Sequence, residues 1–295
     1  MRIFLTGATG FVGSYLVPEL IAAGHQVIGL SRSEAGDAAL SRAGAQSVRG
    51  DLSDLDRLRE AAAESDGVIH AAFNHDFSNV KQHSEEDRGV IAALGEALLG
   101  SNRPLVISSG TGLAERGKGL ASESDDAVSS SDTPRAATEE AAGALVARGG
   151  RVMLMRLSQV HDTRRQGRIA LHIALAKQKG WVAYVGEGEN RLSAVHVSDA
   201  VRLYRLALEK GEAGARYHAV AEEGVAMRDI CEAIGARLKL PVRAIAPDEA
   251  PAYFGPIAHL ATLDLAASGA WTREALDWAP TGPDLLSDLR NLVTS

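Results

Sequence analysis

The sequence predicts a doubly wound α/β protein: a parallel sheet between layers of helices, with a smaller C-terminal lobe interwoven with it. Three observations carry this. Short apolar runs alternate with helical stretches through the first half of the chain, the pattern that βαβ units require. The first run, Ile3 to Leu5, passes directly into Gly7-x-x-Gly10-x-x-Gly13, and Val12, Leu16 and Leu20 follow at helical spacing. The 295 residues, 45% hydrophobic and 23% charged, have an ordinary globular composition and suffice for one α/β domain with an appended lobe.

In order, strands are predicted at 2–6, 26–30, 46–49, 67–71, 104–108 and 151–156, with helices near 11–23, 34–43, 54–64, 84–101 and 136–148. A further strand is expected at 215–220, before a helix at 226–238. Segments 162–195 and 240–290 are less regular, carry Gly, Pro and Trp, and read as the smaller lobe. Residues 115–134, rich in Ser, Asp and Gly, form a long polar connection, either mobile or a lid.

Composition excludes several classes. A net charge of −7 argues against nucleic acid or an anionic membrane as partner. The single cysteine, Cys231, excludes an internal disulfide and fits a reducing cytoplasm; beside Ile230 and Ile234 in an apparent helix it reads as a buried, inert thiol. No run is long and apolar enough to cross a bilayer, and a strand starting at residue 2 leaves no room for a signal peptide, so the expected location is the cytoplasm. No set of His, Cys and carboxylates has metal-ligand spacing, so no metal is expected.

The glycine turn points to a dinucleotide. Gly7 allows the tight turn, Gly10 presents no Cβ to a pyrophosphate, and Gly13 lets the helix pack on the strand. The helix begins near Phe11, and its free N–H groups face the phosphates. Thr6, Gly7, Thr9, Gly10, Phe11, Val12 and Gly13 are therefore candidate cofactor contacts. A tight turn without ligand is the plainer alternative. Some 20 residues on, where an acidic side chain would bind the ribose hydroxyls, stand Ser31, Arg32 and Ser33. A guanidinium flanked by hydroxyls suits a 2′-phosphate, so NADP(H) is favoured over NAD(H), with a solvated loop arginine as the alternative. Asp51 and Leu52 fall where the adenine edge lies, and Asp51 is also a helix N-cap candidate.

These residues together resemble the short-chain dehydrogenase/reductase superfamily, in the extended and atypical branches that include the NAD-dependent epimerase/dehydratases. The resemblance spans nearly the whole chain. It includes Thr6 to Gly13, Gly50-Asp51-Leu52, His70-Ala-Ala72, Val106-Ile-Ser108-Ser109, Met155-Arg156 through His161, and Ala194-Val-His196-Val-Ser-Asp199-Ala. It implies a Rossmann sheet over residues 1–160 and a mostly substrate-binding lobe over 161–295, with core elements returning near 196–238. It also implies that His70, Ala71 and Ala72 border the cofactor's ribose, and that Ser108, Ser109 and Thr111 approach the nicotinamide and the reacting carbonyl. Phe73, next in the chain, is a further candidate cofactor contact that could wall an apolar pocket with Phe77. Arg156 to His161 would face the substrate cleft.

The sequence departs from the family in one respect. The superfamily reacts through a Tyr with a Lys four residues later, and none of the tyrosines 15, 184, 204, 217 and 253 is followed by one. Placing the family's Pro-containing approach on Pro134 puts Arg135 where the Tyr belongs and Glu139 where the Lys belongs. At i,i+4 these two read most simply as a surface salt bridge. Replacement donors are Ser109 and Thr111, which serve equally well as turn or capping residues, and His75, a titratable group followed by Asp76 and Phe77. Asp76, Phe77 and His161 are the candidate substrate contacts. Arg164, Arg165 and Arg168 could grip an anionic substrate but read as a solvated charge run, and His196, before an expected N-cap at Ser198, reads as a histidine that packs in the core or braces a site residue from behind.

The leading expectation is an NADPH-dependent oxidoreductase that reduces a carbonyl of a small or medium organic molecule, with positioning and Ser, Thr or water donors in place of the Tyr. The alternatives are a non-catalytic NADP(H)-binding redox sensor of the NmrA type and a nucleotide-sugar epimerase or dehydratase.

Overall fold

The computed structural model describes residues 1–74, 79–115, 117 and 119–293. Among them the apolar runs form strands β1 (Arg2–Thr6), β2 (Gln26–Ser31), β3 (Gln46–Arg49), β4 (Gly67–His70), β5 (Leu105–Gly110), β6 (Val152–Leu157), β7 (Gln159–His161), β8 (Val182–Val185), β9 (Arg191–His196), β10 (Arg216–Ala219), β11 (Glu222–Ala226) and β12 (Val242–Ile245). The helices are α1 (Phe11–Ala22), α2 (Glu34–Arg42), α3 (Leu55–Ala63), α4 (Val80–Glu96), α5 (Ala137–Ala147), α6 (Ile169–Lys179), α7 (Val197–Lys210), α8 (Met227–Leu238), α9 (Ala250–Phe254), α10 (Ala270–Leu276) and α11 (Leu285–Arg290).

Seven strands form one parallel sheet in the order β3-β2-β1-β4-β5-β6-β10. The order reverses between β1 and β4, which opens a crevice at the carboxyl ends of those strands. Period-2 alternation sorts the side chains between two layers. Ile3, Leu5, Ile69, Val106, Met153 and Met155 pack with residues of α1, α2 and α7. Phe4, Ile28, Val68, Leu105, Ile107 and Leu154 pack with residues of α3, α4 and α5. Each such side chain contributes roughly 1.5–3 kcal/mol by leaving water. The second lobe holds a three-stranded sheet β11-β9-β7 and the parallel pair β12-β8, around a core that includes Ile173, Leu192, Ile230, Ile234 and Leu289.

Several boundaries differ from the sequence reading. The helix expected at 84–101 runs from Val80 to Glu96, because Leu98 and Leu99 both donate back to Gly95 O and Gly100 turns the chain at φ 75°. The strand expected to end at 108 continues to Gly110, since Ser108, Ser109 and Gly110 stay in register with Met155, Arg156 and Leu157. Helix α3 is capped by Asp54 and not Asp51, whose carboxylate instead accepts from Ser53. Helix α7 is capped by the His196 imidazole, which accepts the Ser198 N–H, and not by Ser198.

The polar connection is tied to the body of the protein along its described residues. Glu115 donates to Asp126 O, Val128 to Leu113 O and Ala121 to Ala266 O, and the buried Glu123 carboxylate accepts both the N–H and the hydroxyl of Thr272. Cys231 is fully buried as expected, and burial pushes its thiol up to about 12.

Candidate active site

The turn between β1 and α1 has the shape a pyrophosphate needs. Gly7 sits at φ 71°, and a Cβ there would lie 2.6 Å from Ala71 O. The turn is thus pressed against the chain leaving β4. At Gly13 a Cβ would lie 2.0 Å from Gly7 O, so this glycine is required for packing. Gly10 is different: its Cβ would meet only Gly7 O, at 3.1 Å, and Thr9 and Gly10 are exposed. Helix α1 begins at Phe11 with no side-chain cap and no acidic residue in its first turn. Its N–H groups and dipole are left for an anion, and the residues present fit a dinucleotide.

At the end of β2, Ser31 is buried and donates to Ser33 O at 3.0 Å, while the Ser33 hydroxyl accepts the Gly36 N–H and caps α2. Both hydroxyls thus brace the turn locally. Arg32 between them is exposed and has no ion-pair partner among the described residues. Hydrogen bonds from Ser53 hold the neighbouring Asp51 carboxyl below its usual range, and the Arg32 charge adds to this.

Register builds the polar centre. Thr6 lies opposite His70 and Ser109 opposite Arg156, so all four face α4 and α5 above the apolar residues of that layer. The Thr6 hydroxyl meets His70 Nδ1 at 2.7 Å. His70 Nε2 lies 2.9 Å from Asp87 Oδ1, and because a carboxylate only accepts, the proton sits on Nε2. Asp87 Oδ2 accepts from Arg135 Nη1 at 2.9 Å and from the Thr138 hydroxyl at 2.5 Å. Burial pushes the Asp87 carboxyl up, but the bonds and charges of His70 and Arg135 and the Thr138 hydroxyl outweigh it, and its pKa lies below the ordinary value.

Arg135 is 23% exposed, donates to Ser108 O at 3.3 Å, and lies over the Phe73 ring with Cζ 3.8 Å from the centroid. It does not pair with Glu139. That carboxylate forms a bidentate pair with the buried Arg156, at 2.9 and 2.7 Å, and accepts the Ser109 hydroxyl at 2.5 Å. The expected i,i+4 surface bridge is therefore replaced by two separate tertiary pairs. Ser108 faces the opposite layer, where its hydroxyl reaches His70 O at 2.9 Å and Tyr204 OH at 2.6 Å. Burial drives the Tyr204 phenol far up, so it serves as a hydrogen-bond partner and not as an acid. Thr111 is buried 3.4 Å from the Ser193 hydroxyl.

The other expected contacts divide. Ala71, Ala72 and Phe73 stand beside the glycine turn and Arg135. His75, Asp76 and Phe77 lie outside the described residues. His161 does not face a cleft: it is fully buried, and its Nδ1 lies 2.7 Å from Asp288 Oδ2 on α11. Burial lowers its pKa although Asp288 opposes this. Asp199 is likewise structural, accepting the N–H groups of Thr281 and Gly282. Among the described residues no group of three or more His, Cys, Asp or Glu could hold a metal ion, and no helix is long and apolar enough to cross a membrane.

Asp87 and Thr138 went unnoticed in the sequence. A signal for Asp87 was present: it lies three and four residues before Val90 and Ile91 and seven before Leu94, on the buried stripe of α4, where an unpaired carboxylate would not be tolerated.

A model of the NAD dependent epimerase/dehydratase family matches residues 3–221, and the chain belongs to that family. It is 42% identical over 290 residues, 98% of each chain, to an uncharacterized protein of Schizosaccharomyces pombe. It is 28% identical over 242 residues, 77% of this chain and 73% of the other, to a decarboxylating sterol-4-alpha-carboxylate 3-dehydrogenase of Dictyostelium discoideum. Among solved structures, the dTDP-glucose 4,6-dehydratase DesIV of Streptomyces venezuelae, with NAD and TYD bound, shares the fold: TM-score 0.77 at 20% identity, covering 99% of this chain and 96% of that one. The protein is thus of the NAD(P)-dependent oxidoreductase, epimerase and dehydratase class.

Proposed function

We propose that the chain is an NADPH-preferring cytoplasmic reductase of carbonyl groups on small or medium organic molecules. The observation that carries this reading is Arg135. Its half-buried guanidinium, fixed by Asp87 and the Phe73 ring, stands at the carboxyl end of β5, where the family resemblance places the proton donor. Gly7, Gly10 and the open end of α1 would hold the cofactor's pyrophosphate, and Arg32 its 2′-phosphate. The bound nicotinamide supplies the hydride. Arg135 would polarise the carbonyl and stabilise negative charge on its oxygen, while the Ser109 hydroxyl proton is given to Glu139 and Thr111 is buried beside Ser193. A guanidinium does not release its proton near neutral pH, so water delivers the proton that completes the alcohol.

One observation favours a second reading, dinucleotide binding without turnover: the Arg135 charge is balanced by Asp87, and Glu139 by Arg156. NADPH consumption with a panel of aldehydes, ketones and quinones separates the two. The reductase reading expects turnover with at least one class, and a fall of about 10²–10³ in kcat for Arg135→Ala at unchanged NADPH affinity. Tight NADPH binding with no turnover across the panel would support the sensor.

A further inference from the structure

The arginines at 164 and 165, which read in the sequence as a solvated run, stand beside the glycine turn. After β7 the chain doubles back: Asp162 N–H donates to Arg165 O, Gly167 N–H to Val160 O, both at 2.9 Å, and His161 bridges to Gln166. Asp162 is 5% exposed and holds this turn from within. Its Oδ1 accepts the N–H groups of Arg164 and Arg165, and its carbonyl accepts the Gln166 amide. Its Oδ2 accepts the hydroxyl of Tyr15, on α1, at 2.8 Å.

Tyr15 is one helical turn beyond Phe11, and the two rings meet edge-on with centroids 6.2 Å apart. The same pin sets Arg165 over Phe11, its Cζ 5.9 Å from the ring centroid. Phe11 is the first residue of α1, where the N–H groups left for phosphate begin. Arg165 is exposed and has no carboxylate ion-pair partner among the described residues. A turn this well tied, docked on α1 through a buried carboxylate, has a built position, and it brings an unneutralised cation to the mouth of an anion site.

We propose that Arg165 is a further cofactor-binding residue, and that residues 161–167 form a strap carrying its guanidinium to the pyrophosphate. This rests on the dinucleotide reading of the glycine turn. It assigns the two arginines different work. Arg32 serves a group that only NADP(H) carries, whereas Arg165 serves a group common to NADPH, NADH and ADP-ribose, and so sets affinity without selectivity.

Titration of all three ligands against the wild-type chain, Arg165→Ala, Arg165→Lys and Tyr15→Phe tests it. Arg165→Ala weakens all three by a similar factor, about tenfold or more, with an unchanged melting temperature and a flatter salt dependence. Arg165→Lys restores part of the affinity, and Tyr15→Phe, which only frees the strap, costs less than Arg165→Ala. ADP-ribose affinity within twofold of wild type in Arg165→Ala overturns the proposal, as does a loss confined to NADPH. A wild-type chain that binds none of the three overturns the dinucleotide reading beneath it.

Discussion

Arg135 Nη1 and Asp87 Oδ2 meet at 2.9 Å, and the same carboxylate accepts the N–H of His70 Nε2 at 2.9 Å through its other oxygen. A helix, a strand and a loop are joined at one 2%-exposed group at the carboxyl end of the sheet. Asp87 is the acceptor these donors share, so neutralising it leaves Arg135 without its counter-charge and removing it leaves His70 and Thr138 without their partner. Asp87→Asn is expected to lower the unfolding free energy by about 3 kcal/mol in urea titration, with partial recovery when Arg135→Met is added. A change under about 0.5 kcal/mol, the range of ordinary surface substitutions, would show that the centre does not hold the fold.

The glycines of the turn separate folding from binding. Gly13→Ala places a Cβ 2.0 Å from Gly7 O and 2.8 Å from Ala8 Cα, so the β1–α1 contact must open and the melting temperature falls. Gly10→Ala meets one atom at 3.1 Å and costs about 1 kcal/mol or less, while its methyl stands in the way of phosphate. Thermal melts paired with NADPH titration check this. The expected result is a folded Gly10→Ala chain that has lost at least tenfold in affinity.

Arg32→Ala is expected to weaken NADPH by tenfold or more and NADH hardly at all, because only the former presents a phosphate to it. Equal losses for the two dinucleotides would remove the 2′-phosphate assignment.

His172 carries a pH dependence of stability. Burial, with a smaller push from the Arg168 charge, lowers its pKa from 6.5 to about 4. Above pH about 6.5 the imidazole is neutral in both folded and unfolded chains. As pH falls, the unfolded chain takes up a proton that the native one refuses, so stability declines by about 1.4 kcal/mol per unit until pH about 4, roughly 3 kcal/mol in all. Urea unfolding across this window should show the slope, and His172→Phe, placed against the Phe254 ring, should make it shallower, leaving the part that the buried His161 and His218 add in the same direction.

Much of the core was legible because its signals are local. Strand β1, the start of α1 at Phe11, and strands β2, β3 and β10 follow from apolar period and glycine spacing, to within a residue or two. Elements α6, β8 and β9 were not legible as such. They belong to a lobe whose sheets have two and three strands, and their pattern acquires meaning only against α8 and α11. The candidate site divides in the same way. Gly7, Gly10 and Gly13 act through their own backbone, and spacing reveals them. Arg135 and Glu139 were visible as a pair four residues apart, yet neither meets the other.

The sequence by itself determined the doubly wound sheet, the glycine turn and the place of Arg32 just beyond β2, because each is read from residues close in the chain. Only the tertiary structure decided that Arg135 answers to Asp87, Glu139 to Arg156, His161 to Asp288, and Asp162 to Tyr15. Those partners lie 17 to 147 residues apart. A buried charge must find a counter-charge or a hydrogen-bond donor wherever sheet register and helix packing bring one within about 3 Å, and local spacing carries no record of that meeting.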